Sequence, residues 1–200
     1  MIVYLHGFRS SPASRKATML RELLAARGRS AEYRCPALPA SPARSIELVM
    51  DAVRDVPRER LALIGSSLGG YYATWVAEQT GCRAALLNPA IRPQDDLARH
   101  VGVQPVFFSD ALIDFRREYL DELEAVDTPA ITRPERYFLL AATGDAVIDY
   151  RTMVQKYRGA PQHVIAGSDH ELSDFSAYID EVLAFCDAGG TTTGFLGEVK

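Results

Sequence analysis

The chain has 200 residues, of which 48% are hydrophobic and 24% charged, with a formal net charge of −4. That size suits one domain with a substantial buried core, and the composition is that of a globular, water-soluble protein. The small negative charge and the absence of a Lys/Arg block argue against a nucleic-acid surface, and no apolar stretch is long enough to span a bilayer.

Residues 2–5 read as a short buried strand running into His6-Gly7. They lack the basic region and cleavage site of a signal peptide. A helix over 14–27 follows, with Ala17, Leu20 and Leu24 on one face and Gly28 closing it. Residues 32–35 form a second strand. Pro36, Pro39 and Pro42 stiffen the next loop, and Ser45 is placed to cap a helix carrying Ile46, Val49, Met50 and Val53. Residues 61–64 lead into a glycine-rich turn, and 71–79 leave it with helical character. A fourth strand, 83–87, ends at Asn88-Pro89. Residues 91–135 break the rhythm and read as a lid-like insertion, with Phe115, Tyr119, Leu123 and Val126 on one helical face. Alternation resumes with a strand at 137–142, a helix marked by Tyr150, Met153, Val154 and Tyr157, and a strand at 162–166. Phe175, Tyr178, Ile179, Val182, Leu183 and Cys186 then stripe a final helix. The single domain is expected to end at 188, with 189–200 a loose tail. Cys35, Cys82 and Cys186 lack Cys-x-x-Cys spacing, which points to reduced thiols in a cytoplasmic protein.

Six short apolar strands alternating with helices predict an α/β fold, a mostly parallel sheet covered on both faces. Its ligand site lies beyond the carboxyl ends of the strands, where His6, Ser67, Asn88, Asp145 and His170 all fall. The frame Gly65-x-Ser67-x-Gly69 between strand and helix fits a nucleophile elbow. Centred on Ser66 instead, the flanking positions would be Ile64 and Leu68, which cannot pass close to neighbouring backbone. A phosphate-binding P-loop would need a Gly-Lys-Ser/Thr ending, and no lysine occurs in this turn.

A serine hydroxyl needs a base to take its proton, and in this arrangement the chain order is Ser, acid, His. Of four histidines only His170 follows the last strand. Asp145 directly follows the fifth strand and Gly144. Asp149 sits where a helix N-cap belongs, and Asp169 is too near His170 in sequence to reach back to its ring. The oxyanion donors expected are the backbone N–H groups of Leu68 and Phe8, with His6 holding the first loop.

The segments His6-Gly7-Phe8, Ser10-Ser11-Pro12, Gly65 to Ala73, Asn88-Pro89-Ala90, Thr143-Gly144-Asp145, Asp149-Tyr150-Arg151 and Asp169-His170 together resemble the YqiA-type family of small bacterial esterases. The resemblance runs to about residue 187 and implies a compact α/β-hydrolase with carboxylesterase or thioesterase activity. It makes Ser67 the nucleophile, Asp145 the acid and His170 the base. Residues 106–134 match the family less well, so acyl preference does not carry over.

The resulting expectation is a serine esterase for small-molecule acyl esters or thioesters, needing no metal or organic cofactor. The alternative is a catalytically silent hydrolase-fold binding protein. Val106, Phe107, Phe108, Leu112, Phe115 and Tyr119 are expected to wall a small apolar pocket that favours short acyl chains.

Overall fold

Successive residues of strand β1 (Ile2–Leu5) point into two different cores: Ile2 and Tyr4 into one, Val3 and Leu5 into the other. This period of two, repeated along neighbouring strands, is what a sheet buried on both faces requires. The structure is a computed structural model that describes residues 1–107 and 110–188.

After β1 come helix α1 (Arg15–Ala26), the two-residue strand β2 (Tyr33–Arg34), α2 (Pro42–Val53), β3 (Ala62–Ser66), α3 (Leu68–Thr80) and β4 (Arg83–Leu87). Residues 91–135 contribute α4 (Pro93–Leu97), an antiparallel hairpin of β5 (Gly102–Pro105) with β6 (Leu112–Phe115), and α5 (Glu118–Ala125). The chain continues with β7 (Tyr137–Ala142), α6 (Tyr150–Lys156), β8 (Gln162–Ile165) and α7 (Ile179–Asp187). Six strands pair in the order β2-β1-β3-β4-β7-β8, every neighbour parallel. Helices α1 and α7 bury Leu20, Leu24, Val182 and Leu183 against one face. On the other face α2, α3, α5 and α6 bury Val49, Tyr71, Leu123 and Met153. Leu63, Ile64, Leu86 and Leu87 are fully buried, each worth about 1.5–3 kcal/mol. The strands leading to the site are thus fixed by core packing before any loop contact is counted. No helix among the described residues is long and apolar enough to cross a membrane.

Three local expectations need correction. Ser41, not Ser45, caps α2: its Oγ accepts the Arg44 N–H at 3.2 Å, and Pro42 sits at the start of the helix instead of in a non-helical loop. Proline suits that position because its missing N–H would have no intrahelical partner there. Ser45 lies inside the helix, donating to the Pro39 carbonyl at 3.0 Å. Within 91–135, Phe115 belongs to the hairpin and not to a helical face shared with Tyr119, Leu123 and Val126. The stripe from Phe175 is split, with a single 3₁₀ turn at Phe175–Ala177 before α7 begins. The expected tail at 189–200 lies outside the described residues.

The insertion is tied to the body at the α2 cap. Glu122 of α5 accepts hydrogen bonds from Ser41 Oγ at 2.6 Å and from the Ala43 N–H at 3.0 Å. Ser41→Ala should therefore cost about 1–2 kcal/mol, the upper part of the range for a lost N-cap. That corresponds to a fall of roughly 2–8 °C in Tm by thermal melting.

Candidate active site

Strand β3 delivers Ser67 to the carboxyl edge of the sheet with φ +52° and ψ −119°, a strained conformation for a residue with a side chain. The surrounding backbone holds it there. The Ser67 N–H donates to the Leu87 carbonyl at 3.0 Å, and the Ser67 carbonyl accepts from Gly70 at 2.9 Å and Ala90 at 3.0 Å. The glycines permit the turn through space as much as through torsion. A Cβ on Gly69 would stand 2.0 Å from the Leu5 carbonyl oxygen, and one on Gly65 2.4 Å from the Gly69 oxygen. Ser66, the adjacent serine, is buried beside the Tyr4 side chain.

Ser67 Oγ lies 3.0 Å from His170 Nε2, and His170 Nδ1 lies 2.7 Å from Asp145 Oδ2. With Nδ1 donating to the carboxylate, Nε2 is free to accept the serine proton. The Asp145 side chain is fully buried, whereas that of His170 is 16% exposed. Burial pushes the Asp145 carboxyl up. The His170 hydrogen bond outweighs that, together with N–H bonds to Oδ1 from Ile148 at 2.9 Å and Val147 at 2.8 Å, and the carboxyl is held below its ordinary value. The acid loop and the histidine loop touch: a Cβ on Gly144 would stand 2.2 Å from the Ser168 carbonyl oxygen.

The loop after β1 closes the other side. A Cβ on Gly7 would lie 3.3 Å from Ser67 Cβ and 3.8 Å from its Oγ, so the Gly7-Phe8 backbone passes directly over the serine. His6 fixes that loop. Its Nδ1 donates to the Gly7 carbonyl at 3.0 Å and its Nε2 accepts the Leu38 N–H at 3.1 Å, the pattern of a neutral imidazole. Burial keeps its pKa below the ordinary histidine value, against the Gly7 bond that pulls it up. Leu68 opens α3, so its N–H stands outside the intrahelical ladder. Phe8 packs edge-on against Phe115, with ring centroids 5.0 Å apart.

Beside these groups is a cavity of about 30 Å³, lined among others by Phe8, Leu38, Leu68, Tyr72, Val106 and Ile113. Of the described residues expected to wall a pocket, only Val106 lines it. Phe115 is fully buried in the core and Tyr119 packs against its ring, while Leu112 is 66% exposed. Phe107 lies under the Arg9 guanidinium, 4.4 Å from ring centroid to Cζ. Phe108 lies outside the described residues.

The competing residues have other partners. His163 bonds Glu181 at 2.7 Å and stacks edge-on against Tyr178, and His100 packs against Phe8. Asp149 caps α6 through the Arg151 N–H, and Asp169 accepts from the Ser173 N–H and hydroxyl. Burial pushes the Cys35, Cys82 and Cys186 thiols up to about 11, 11 and 12, which removes them as nucleophiles at neutral pH. Among the described residues no group of three His, Cys, Asp or Glu is placed to hold a metal ion.

Two side chains beside the site had no role in the sequence reading, which put Asn88 on the site edge and did not single out Lys16. Asn88 is fully buried and bonds the backbone of the His170 loop, as does Lys16, whose pKa burial draws down against the pull of Glu171. An asparagine closing a buried strand just before proline was a signal for the first. Nothing in the pattern of α1 marked the second.

The model of the family described as "Uncharacterised protein family (UPF0227)" matches residues 1–187. A UPF0227 protein of Yersinia pseudotuberculosis is 23% identical over 194 residues, covering 94% of this chain and 100% of the relative. Among solved structures, the chain is similar to metagenome-derived lipolytic enzymes described as LipS and LipT. That match has a TM-score of 0.68 and 19% identity, covering 92% of each chain. It is also similar to mouse alpha/beta hydrolase domain-containing protein 10, with a TM-score of 0.66 and 15% identity over 92% of this chain and 89% of that one. These likenesses show the α/β-hydrolase fold, and the match across nearly all its length makes the chain a member of the UPF0227 family.

Proposed function

We propose that the protein is a serine hydrolase that cleaves acyl esters or thioesters through an acyl-enzyme on Ser67. The observation that carries this reading is the run of two short contacts, 3.0 Å from Ser67 Oγ to His170 Nε2 and 2.7 Å from His170 Nδ1 to Asp145, at a strained turn on the sheet edge. The fold neighbours are described as hydrolases and lipolytic enzymes, and the sequence resembles YqiA-type esterases; both point the same way.

In the reaction, Ser67 Oγ attacks the acyl carbon as His170 Nε2 takes its proton. The carbonyl π pair moves onto oxygen, which the Leu68 and Phe8 N–H groups receive. Loss of one such donor typically costs about 10²–10³ in kcat. The oxyanion collapses, the bond to the leaving oxygen or sulfur breaks, and His170 returns the proton to the leaving group. Water then attacks the acyl-serine while His170 takes its proton. The second collapse frees the carboxylic acid and gives the proton back to Ser67. Asp145 keeps the imidazole in the tautomer that accepts at Nε2 and stabilises its charged form.

Hydrolysis of nitrophenyl esters by the variants tests the assignment. Ser67→Ala should lose activity by up to about 10⁶-fold in kcat, whereas Ser66→Ala should retain most of it. Equal losses would contradict the assignment of the nucleophile. Asp145→Asn should lower kcat by about 10⁴, and Asp149→Asn, which disturbs only a helix cap, by less than about tenfold, a ceiling set by the modest cost of a lost cap. Indispensable Asp149 with a tolerant Asp145 would move the acid to the start of α6. The cavity beside Leu68, about 30 Å³ in volume and lined by Leu38, Tyr72, Val106 and Ile113, has room for little more than a short acyl group. A chain-length series should peak at acetate or butyrate, and a peak at dodecanoate or longer would refute a closed acyl pocket.

A further inference from the structure

The segment that presents His170 has no regular secondary structure to hold it. Gly167, Ser168 and Leu172 all have positive φ, at +80°, +59° and +48°. Yet its three consecutive carbonyls at 169, 170 and 171 are each held by a buried side chain. Asn88 Nδ2 donates to the Asp169 carbonyl at 3.0 Å and to the His170 carbonyl at 3.1 Å. Lys16 Nζ donates to the Glu171 carbonyl and, at 3.3 Å, to the Glu171 carboxylate. Asn88 is fully buried, and Lys16 is 6% exposed.

The same carboxamide reaches a second strand. Asn88 Oδ1 accepts the Ala142 N–H at 2.8 Å, at the end of β7 and three residues before Asp145. Its backbone N–H donates to the Leu140 carbonyl at 3.0 Å. Leu87, the residue before it, accepts the Ser67 N–H at 3.0 Å. One corner of β4 is therefore bonded to the backbone carrying the serine, the strand carrying the aspartate and the turn carrying the histidine. The chemistry demands an amide. Two donors must meet two carbonyls while an acceptor meets an N–H, and only the carboxamide of this length offers both. Asn88 itself sits at φ +41°, a region in which asparagine is enriched among side-chain-bearing residues.

We propose that Asn88, assisted by Lys16, is the positioning residue for His170: its carboxamide fixes where the imidazole stands relative to Ser67 Oγ. The inference rests on the serine-hydrolase reading above and adds to it the group that registers the base against the nucleophile.

Kinetics on a short nitrophenyl ester test it, with thermal melts on every variant. Asn88→Asp keeps the acceptor for Ala142 and deletes both donors. It should lower kcat by about 10–100-fold with KM within about twofold, the size of effect expected from a misplaced catalytic group. Lys16→Met keeps the aliphatic stem and should lower kcat by less than Asn88→Asp. In a His170→Ala background, Asn88→Asp should change the residual rate by less than about twofold, because the group it positions is already gone. An equal fold loss in both backgrounds, or an unchanged kcat in the single variant, would overturn the proposal. Should Asn88→Asp lack a melting transition, the same cycle run with Lys16→Met decides by the same criteria. Wild-type protein that turns over neither esters nor thioesters would instead remove the serine-hydrolase reading, and the inference with it.

Discussion

The site depends on one steric constraint, the passage of the Gly69 backbone against the Leu5 carbonyl, where a Cβ would stand only 2.0 Å from oxygen. That close approach, open only to glycine, lets α3 start against β1 and β3 directly after the sharp turn at Ser67, which has φ +52°. Strain of this kind persists only when the surroundings over-determine it. Here they do: hydrogen bonds to Leu87, Gly70 and Ala90 pin Ser67, and fully buried Leu63, Ile64, Leu86 and Leu87 anchor the strands beneath. The position of the proposed nucleophile is set by the core beneath it.

Electrostatics follows from the same packing. Asp145 is withdrawn from solvent, which alone would favour its neutral form, yet one oxygen accepts two backbone N–H bonds and the other faces His170. The carboxylate is thereby kept charged and aimed. His6 does the complementary work on the far side as a neutral ring, tying the Gly7 carbonyl to the Leu38 loop that lines the cavity. The loops proposed to carry the chemistry are thus held in part by side chains, those of His6 and Asp145.

Much of this was legible in the sequence because it rests on local patterns. Strand-length apolar runs, the glycine frame around Ser67 and the order Ser, Asp, His each leave a mark within a few residues. Asp149 read as a helix cap, and it is one. What stayed hidden needed contacts distant in sequence or a finer reading of proline. Pro42 looked like a helix breaker, but at the first position of α2 it costs the helix nothing. The β5–β6 hairpin carries exposed Val103 and Leu112 and a proline, so its alternation was obscured. Phe115 suited a pocket wall by type and is instead core, while the cavity takes Leu38 from a loop far from the insertion. The role of Asn88 requires β4, β7 and the His170 turn together, a juxtaposition no window of sequence contains.

The most direct measurement of the central claim is peptide mapping after reaction with a fluorophosphonate, which phosphonylates only an activated serine. A single adduct on Ser67, with Ser66 unmodified and labelling abolished in His170→Ala, is the predicted result. Failure of the folded protein to label, or an adduct at any other serine, would contradict the account.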